Sequence, residues 1–152
     1  MKSKFTITRL AIVLLATATL TLSVSASDRK GDVHIIKECS QYTGMPGGFC
    51  TFTSSNFDLI PPGARIYYDQ AVGVPPGMLD SNVVVDAGGG NRALGRCTLD
   101  FATGQGLCSF SDGTGSFEGF HARFEVTHVG GKVWAWDGPF RIHDDNSDHD
   151  RD

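Results

Sequence analysis

The sequence predicts an all-β protein that folds as a single eight-stranded antiparallel barrel, and three observations favour this class. Beyond residue 26, apolar residues nowhere recur at helical spacing over a dozen positions without an intervening glycine or proline. Nineteen glycines stand in short clusters that are typical of turns, and the runs between them are rich in β-branched and aromatic residues. Four cysteines are spaced in two close pairs, as in an exported, disulfide-bonded domain.

The N-terminal segment, residues 1–26, is predicted to be a secretory signal. It carries the cations Lys2, Lys4 and Arg9, then an apolar run over residues 10–24, then small residues that suit a signal peptidase. The alternative is a permanent transmembrane anchor, but a span needs about 20 uninterrupted apolar residues, and threonines interrupt this shorter run. We therefore expect a secreted protein, extracellular or periplasmic, with no membrane contact after cleavage.

Cleavage after Ala26 would leave about 126 residues, which is enough for one domain with one core. We assign that domain to residues 27–142. Loss of the cations in the signal lowers the formal net charge from −4 to about −7, and a chain of that charge is repelled by phosphate backbones and anionic membranes. Nucleic acid is therefore not an expected partner.

The four cysteines that remain after cleavage allow three pairings, and their spacing favours one. Cys39 and Cys50 are eleven residues apart, as are Cys97 and Cys108, and each pair brackets a glycine-rich turn signal. We expect each disulfide to close a hairpin and, in the chain-entropy model, to stabilise the fold by about 3 kcal/mol. Binding of zinc is the alternative, but the CxxC spacing typical of it is absent.

Eight strands are expected, separated by turns at nearly regular spacing, which is typical of a barrel or a sandwich. Eight antiparallel strands close into a barrel just wide enough for one small ligand. The expected strands span residues 33–39, 49–53, 64–71, 82–87, 93–101, 106–111, 117–128 and 133–142.

Two of the expected strands carry further information about burial. Within residues 120–126 the even-numbered positions are apolar and the odd-numbered positions are polar, so one face is buried and the other is wetter. The three consecutive valines at 83–85 lack this alternation, which indicates burial on both faces. In a barrel only another subunit could cover the outer face, so this run points to an oligomer.

The C-terminal segment, residues 143–152, contains no apolar side chain and is predicted to be a disordered acidic tail. Its alternating acidic and amide residues are similar to the start of a calcium loop. The glycine that such a loop needs at its sixth position is replaced by His149. We therefore expect no metal ion there, and no cofactor elsewhere in the chain.

The chain carries GRCT at residues 95–98, DGTGSFEGF at 112–120 and WAWDGPF at 134–140. These segments resemble the allene oxide cyclase-like and dirigent-like barrels, in which a Gly-Thr-Gly-x-Phe-x-Gly turn opens a long strand. The resemblance implies an eight-stranded barrel with a largely apolar cavity, assembled as a homotrimer. It also implies that the protein binds a small apolar or aromatic molecule and promotes its cyclisation or isomerisation without a cofactor.

The catalytic residues of the allene oxide cyclases have no counterparts at the matching positions of this chain. Allene oxide cyclases use a glutamate and an asparagine two residues apart on the first strand, and the corresponding positions here are Ile35 and Lys37. The glycines of the motif have a physical role of their own. Gly113 and Gly115 permit the positive φ of a tight hairpin, and Gly119 would allow a barrel strand to bend.

Asp86 and His121 are the candidate catalytic residues. Asp86 follows the valine run, where desolvation would raise the pKa of a carboxylate, although it could equally form a turn. His121 shares a polar strand face with Arg123 and Glu125, and such groups in a narrow barrel can act as acid and base. The alternative is that this face contacts solvent or another subunit.

Aromatic residues supply the candidate ligand-binding cage. Tyr67 and Tyr68 point to opposite faces of their strand, so one of them must look inward in either register. Together with Phe124, Trp134 and Trp136 it would surround an aromatic ligand, or these rings would only pack the core. A non-catalytic barrel that binds a ligand or a protein partner therefore stays open beside the enzyme, and the absence of inward-facing ionisable groups would favour it.

Overall fold

The computed structural model describes residues 28–143, which form a closed barrel of eight antiparallel strands in chain order. Each strand pairs with its neighbour in the chain, and β1 pairs with β8 to close the barrel. The predicted fold class is confirmed. The strands are β1 (Arg29–Glu38), β2 (Phe49–Ser55), β3 (Arg65–Tyr68), β4 (Met78–Asp86), β5 (Arg92–Asp100), β6 (Gln105–Thr114), β7 (Phe120–Gly130) and β8 (Val133–Ile142).

Strand boundaries differ from the predicted ones where backbone pairing, rather than side-chain pattern, decides them. β1 begins at Arg29 because it pairs with β8 along its whole length, although its first four residues are exposed. β3 ends at Tyr68; beyond it the Asp69 N–H donates to both the Asn82 carbonyl and the Ser81 hydroxyl, and the Gln70 N–H donates to the Ser81 hydroxyl alone. β7 begins at Phe120 because a single 3-10 turn occupies residues 115–117.

The two predicted disulfides are confirmed, and each crosses one hairpin. Cys97 and Cys108 are direct partners in the β5–β6 ladder. Cys39 stands immediately after β1 and is bonded to Cys50 in β2. Both bonds therefore tie neighbouring strands that the sheet already pairs.

Glycines of the DGTGSFEGF segment shape the turn between β6 and β7. Gly115 and Gly119 have φ angles of 62° and 68°, a region that side chains disfavour. Gly113 does not adopt positive φ; a Cβ there would meet the Phe117 side chain at 2.5 Å. Gly119 lies before β7 and not within it, so it does not bend the strand. A side chain at Gly119 would collide with the carbonyl oxygen of His143.

Aromatic side chains fill the middle of the barrel. The Trp136 ring lies 5.3 Å from that of Phe52, 5.7 Å from Phe110 and 5.6 Å from Phe124, measured between centroids. All four side chains are buried. Edge-to-face and offset contacts of this kind stabilise a core beyond the area they bury.

The two ends of the barrel differ. The closed end, defined as the end that holds residues 28 and 143, is filled by Phe57, Phe117 and Phe120. The ring of Phe120 lies 5.9 Å from that of Phe57 and 5.2 Å from that of Phe117. There the His143 N–H donates to the Gly119 carbonyl, at 3.0 Å.

The predicted signal, residues 1–26, lies outside the described residues, as do residues 144–152 of the predicted tail. Among residues 28–143 no helix is long and apolar enough to cross a membrane.

Candidate functional site

A cavity of about 370 Å³ opens at the end of the barrel opposite the closed end, and we call it the cup. Its walls are formed by the ends of β1, β3 and β5, by the starts of β2, β4 and β8 and by Cys39 and Val72 of the adjoining loops, and other loop residues form its rim. The walls are mainly apolar. Six of the residues that form them are Cys39, Cys50, Val72, Leu79, Leu99 and Trp134.

Lys37 lies at the floor of the cup. Side chains of β1 alternate between inside and outside, and Val33, Ile35 and Lys37 all point inward. Only 5 % of Lys37 is exposed. Its Nζ donates a hydrogen bond to the Tyr68 hydroxyl of β3, two strands away, and lies over the Trp136 ring of the aromatic core.

The surroundings of Lys37 disfavour its charged form. Burial lowers the pKa of the Lys37 amine to about 7, because the ammonium loses its hydration without gaining a carboxylate. Two rings partly compensate: Nζ lies 4.7 Å from the Trp136 centroid and 5.2 Å from the Tyr68 centroid. Near neutral pH the amine is therefore present in both charged and neutral forms.

Two tyrosine hydroxyls accompany Lys37 in the cup. Burial, and secondarily the neighbouring Tyr42, raise the pKa of Tyr68, and burial also raises the pKa of Tyr42. The two rings lie 5.0 Å apart. The Tyr42 hydroxyl is buried and has no hydrogen-bond partner within residues 28–143. It can therefore donate to, or accept from, a ligand in the cup.

Backbone contacts position the rim of the cup. The loop after β1 is tied to β3 by hydrogen bonds from Gly47 N–H to the Tyr68 carbonyl, at 2.7 Å, and from Tyr68 N–H to the Gly48 carbonyl, at 3.0 Å. A Cβ at Gly48 would lie 2.7 Å from the Tyr42 ring. Only glycine therefore lets Tyr42 fold against this segment and reach Tyr68.

The structure divides the five predicted cage residues. Tyr68 and Trp134 line the cup. Phe124 and Trp136 are fully buried in the aromatic core beneath it. Tyr67 lies on the outer face of β3, where its ring packs 5.5 Å from Phe49.

The two predicted catalytic residues lie outside the cup. Asp86 stands at the end of β4 on the outer face, where it accepts hydrogen bonds from Arg92 Nε, at 3.1 Å, and from Gly88 N–H, at 2.9 Å. These contacts correspond to the turn-forming alternative. His121 lies on the outer face beside Arg141, its register partner in β8, in a surface depression at the closed end.

Lys37 is the functional candidate that the sequence reasoning did not select. The sequence pattern could have identified it, because Lys37 is two residues after Ile35 and four after Val33 and therefore lies on the same, inward face of the strand. A single lysine in a strand is usually an exposed residue, and the burial of its amine depends on the Tyr68 contact from a strand two places away. That contact has no local sequence signature.

Within residues 28–143 no group of three or more histidine, cysteine, aspartate or glutamate side chains is arranged to hold a metal ion. The chain was compared with protein-family models, with curated proteins and with solved structures, and none of them matches.

Proposed function

We propose that the protein is a secreted barrel that binds one small apolar or aromatic molecule in the cup. The observation that carries this proposal is a cavity of about 370 Å³ with apolar walls and a few polar groups at its floor. Pockets for small molecules combine just these features: a concave apolar lining and a small number of placed polar groups that fix orientation.

Two disulfides support the export part of the proposal, because such bonds form and persist in oxidising compartments. The secretory signal proposed for residues 1–26 would direct the chain there. We propose an extracellular or periplasmic location on this basis.

As the family resemblance implies, the proposal extends to cyclisation or isomerisation of the bound molecule without a cofactor. Acid and base catalysis needs ionisable groups that face the ligand, and Lys37 and Tyr68 meet that requirement. The walls of the cup would also restrain the conformation of the ligand. A non-catalytic binding barrel is the second candidate, favoured by the position of Asp86 and His121 outside the cup.

A homotrimer is also proposed, and an apolar row on the outer face supports it. Register places Phe49 beside Tyr67, Tyr67 beside Val84, and Val84 beside Leu94 across four neighbouring strands. Val84 is half-buried, while Leu94 is 38 % exposed. A second copy that covered this row would provide the outer-face burial that the valine run predicts.

The binding proposal is tested with N-phenyl-1-naphthylamine, a neutral aromatic probe whose fluorescence rises in apolar surroundings. We expect saturable binding of one probe per chain. Thr43→Trp should weaken it at least about tenfold by filling the rim of the cup. Thr127→Trp, at an exposed position of β7, is the matched control. Absence of saturable binding, or equal loss in both variants, would contradict the proposal.

A further inference from the structure

The amine of Lys37 is a buried ionisable group without an acidic partner in the described part of the chain. Its hydrogen bond is to the neutral Tyr68 hydroxyl, and the ion pairs of residues 28–143 involve other side chains. An unpaired buried ammonium is costly, and methionine would fill similar space without that cost. A neutral amine at the floor of an apolar pocket is, in contrast, a good nucleophile.

We propose that the cup takes a small aldehyde with an apolar or aromatic body, and that Lys37 Nζ condenses with its carbonyl carbon to form an imine. This inference rests on the proposed function, because the body of the aldehyde occupies the same cup. It adds the reactive group of the ligand and the atom of the protein that bonds to it.

The reaction balances without an oxidant, a reductant or a further reactant. The Nζ lone pair attacks the carbonyl carbon, the C–N bond forms, and the carbonyl π electrons move to oxygen. The oxygen then leaves as water when the C–O bond breaks, and both hydrogens of that water derive from Nζ. The Tyr68 hydroxyl, which is already hydrogen-bonded to Nζ, is positioned to pass these protons.

The ionisable side chains that line the cup are Lys37, Tyr42, Tyr68 and Lys132, and none of them is acidic. Both tyrosines stay protonated near neutral pH because burial raises their pKa values. The Lys37 amine, with its pKa lowered to about 7, is substantially neutral there. A lysine with the ordinary pKa has a neutral fraction roughly a thousandfold smaller at pH 7, so neutral pH favours reaction at the buried amine of Lys37.

The test incubates the full chain with 2-naphthaldehyde and sodium cyanoborohydride at pH 7, followed by mass spectrometry of the intact chain and of its peptides. Cyanoborohydride reduces the imine to a stable amine, which fixes the site of reaction. We expect one adduct, on Lys37, formed at least about tenfold faster than any adduct on Lys30 or Lys132. Lys37→Met should abolish it, whereas Lys30→Met, at an exposed position of β1 outside the cup, should retain it.

A parallel titration with 2-naphthalenemethanol, which has the same body but cannot form an imine, separates the two proposals. Binding of the alcohol without trapping of the aldehyde at Lys37 overturns the imine inference and leaves the binding proposal standing. If neither compound binds, both proposals fail. Stronger binding of 2-naphthoate than of the alcohol, with no aldehyde adduct at Lys37, would show instead that the amine pairs with an anion. Because the adduct is mapped on the wild-type chain, the test does not require that Lys37→Met fold.

Discussion

Lys37 Nζ lies 4.7 Å from the centroid of the Trp136 ring, which places an ionisable group directly against the aromatic core of the barrel. The indole face attracts the ammonium form, while burial favours the neutral amine. Burial has the larger effect, since the pKa falls to about 7. The pH dependence of stability should therefore contain a contribution from the burial of Lys37.

Lys37→Met should stabilise the protein at neutral pH. The folded pKa of Lys37 is lowered from 10.5 to about 7, so the unfolded chain binds more protons between these values. The free energy of unfolding of the wild type therefore rises with pH across this window. The destabilisation caused by burying the ammonium form is largest below pH 7. We expect Lys37→Met to be more stable by a few kcal/mol at pH 6, and by progressively less as the pH increases to 9.5. Urea unfolding at a series of pH values measures the difference; a difference that did not change with pH would contradict the assignment.

Tyr68→Phe should destabilise the fold by about 1–3 kcal/mol, because it leaves the buried Lys37 amine without its hydrogen-bond acceptor. Tyr67→Phe is the matched control, since the Tyr67 ring lies on the outer face of the same strand. Urea unfolding of both variants at pH 7 provides the comparison. Equal effects of the two substitutions would show that the hydroxyl of Tyr68 does not support Lys37.

The two disulfides should contribute similarly to stability and differently to ligand binding. Each closes a loop with a sequence separation of 11, so replacing either cysteine pair by serine should cost about 3 kcal/mol. Only the Cys39–Cys50 bond lines the cup. We expect its loss to weaken binding of N-phenyl-1-naphthylamine, whereas loss of the Cys97–Cys108 bond should leave the affinity of the folded protein unchanged. Fluorescence titration and urea unfolding of the two double variants test both statements.

Leu94→Asp should convert the proposed homotrimer to monomers by placing a charge in the apolar row on the outer face. Val129→Asp is the control, because Val129 is 61 % exposed near the β7–β8 turn and lies outside that row. Native mass spectrometry of the wild type and both variants gives the subunit number directly. A monomeric wild type would contradict the trimer proposal. If both variants were monomeric, the apolar row would not be the surface that holds the subunits together.

Much of the fold could be predicted because it depends on local patterns. Turn glycines, cysteine spacing and β-branched runs each report on a few neighbouring residues, and in this barrel every hairpin joins strands adjacent in the chain. The starts of β1 and β4 were missed because exposed or mixed residues there pair through the backbone, as in Arg29 with Ile142. Backbone pairing leaves little trace in side-chain composition.

The candidate site was only partly predictable because its central contact is not local. Because side chains alternate between the two faces of a strand, either Tyr67 or Tyr68 had to face the interior. The sequence could not decide between them without the register of β3 against β4. Asp86 was selected for its position beside an apolar run, and Arg92 on the next strand instead holds it at the surface. Lys37 acquires its altered chemistry from Tyr68 and Trp136, which lie 31 and 99 residues away in the chain.

Because β1 pairs with β8, every strand of the barrel has two neighbours and no strand lies at an edge. Asp28 and His143 meet through their side chains at 2.7 Å, so the two ends of the described chain lie side by side at the closed end. A short peptide could join them, and new termini could be opened in an exposed loop such as residues 87–91. Such a circularly permuted chain would keep every strand pair and leave the cup untouched. Ligand binding in the cup should therefore not depend on where in the sequence the chain begins.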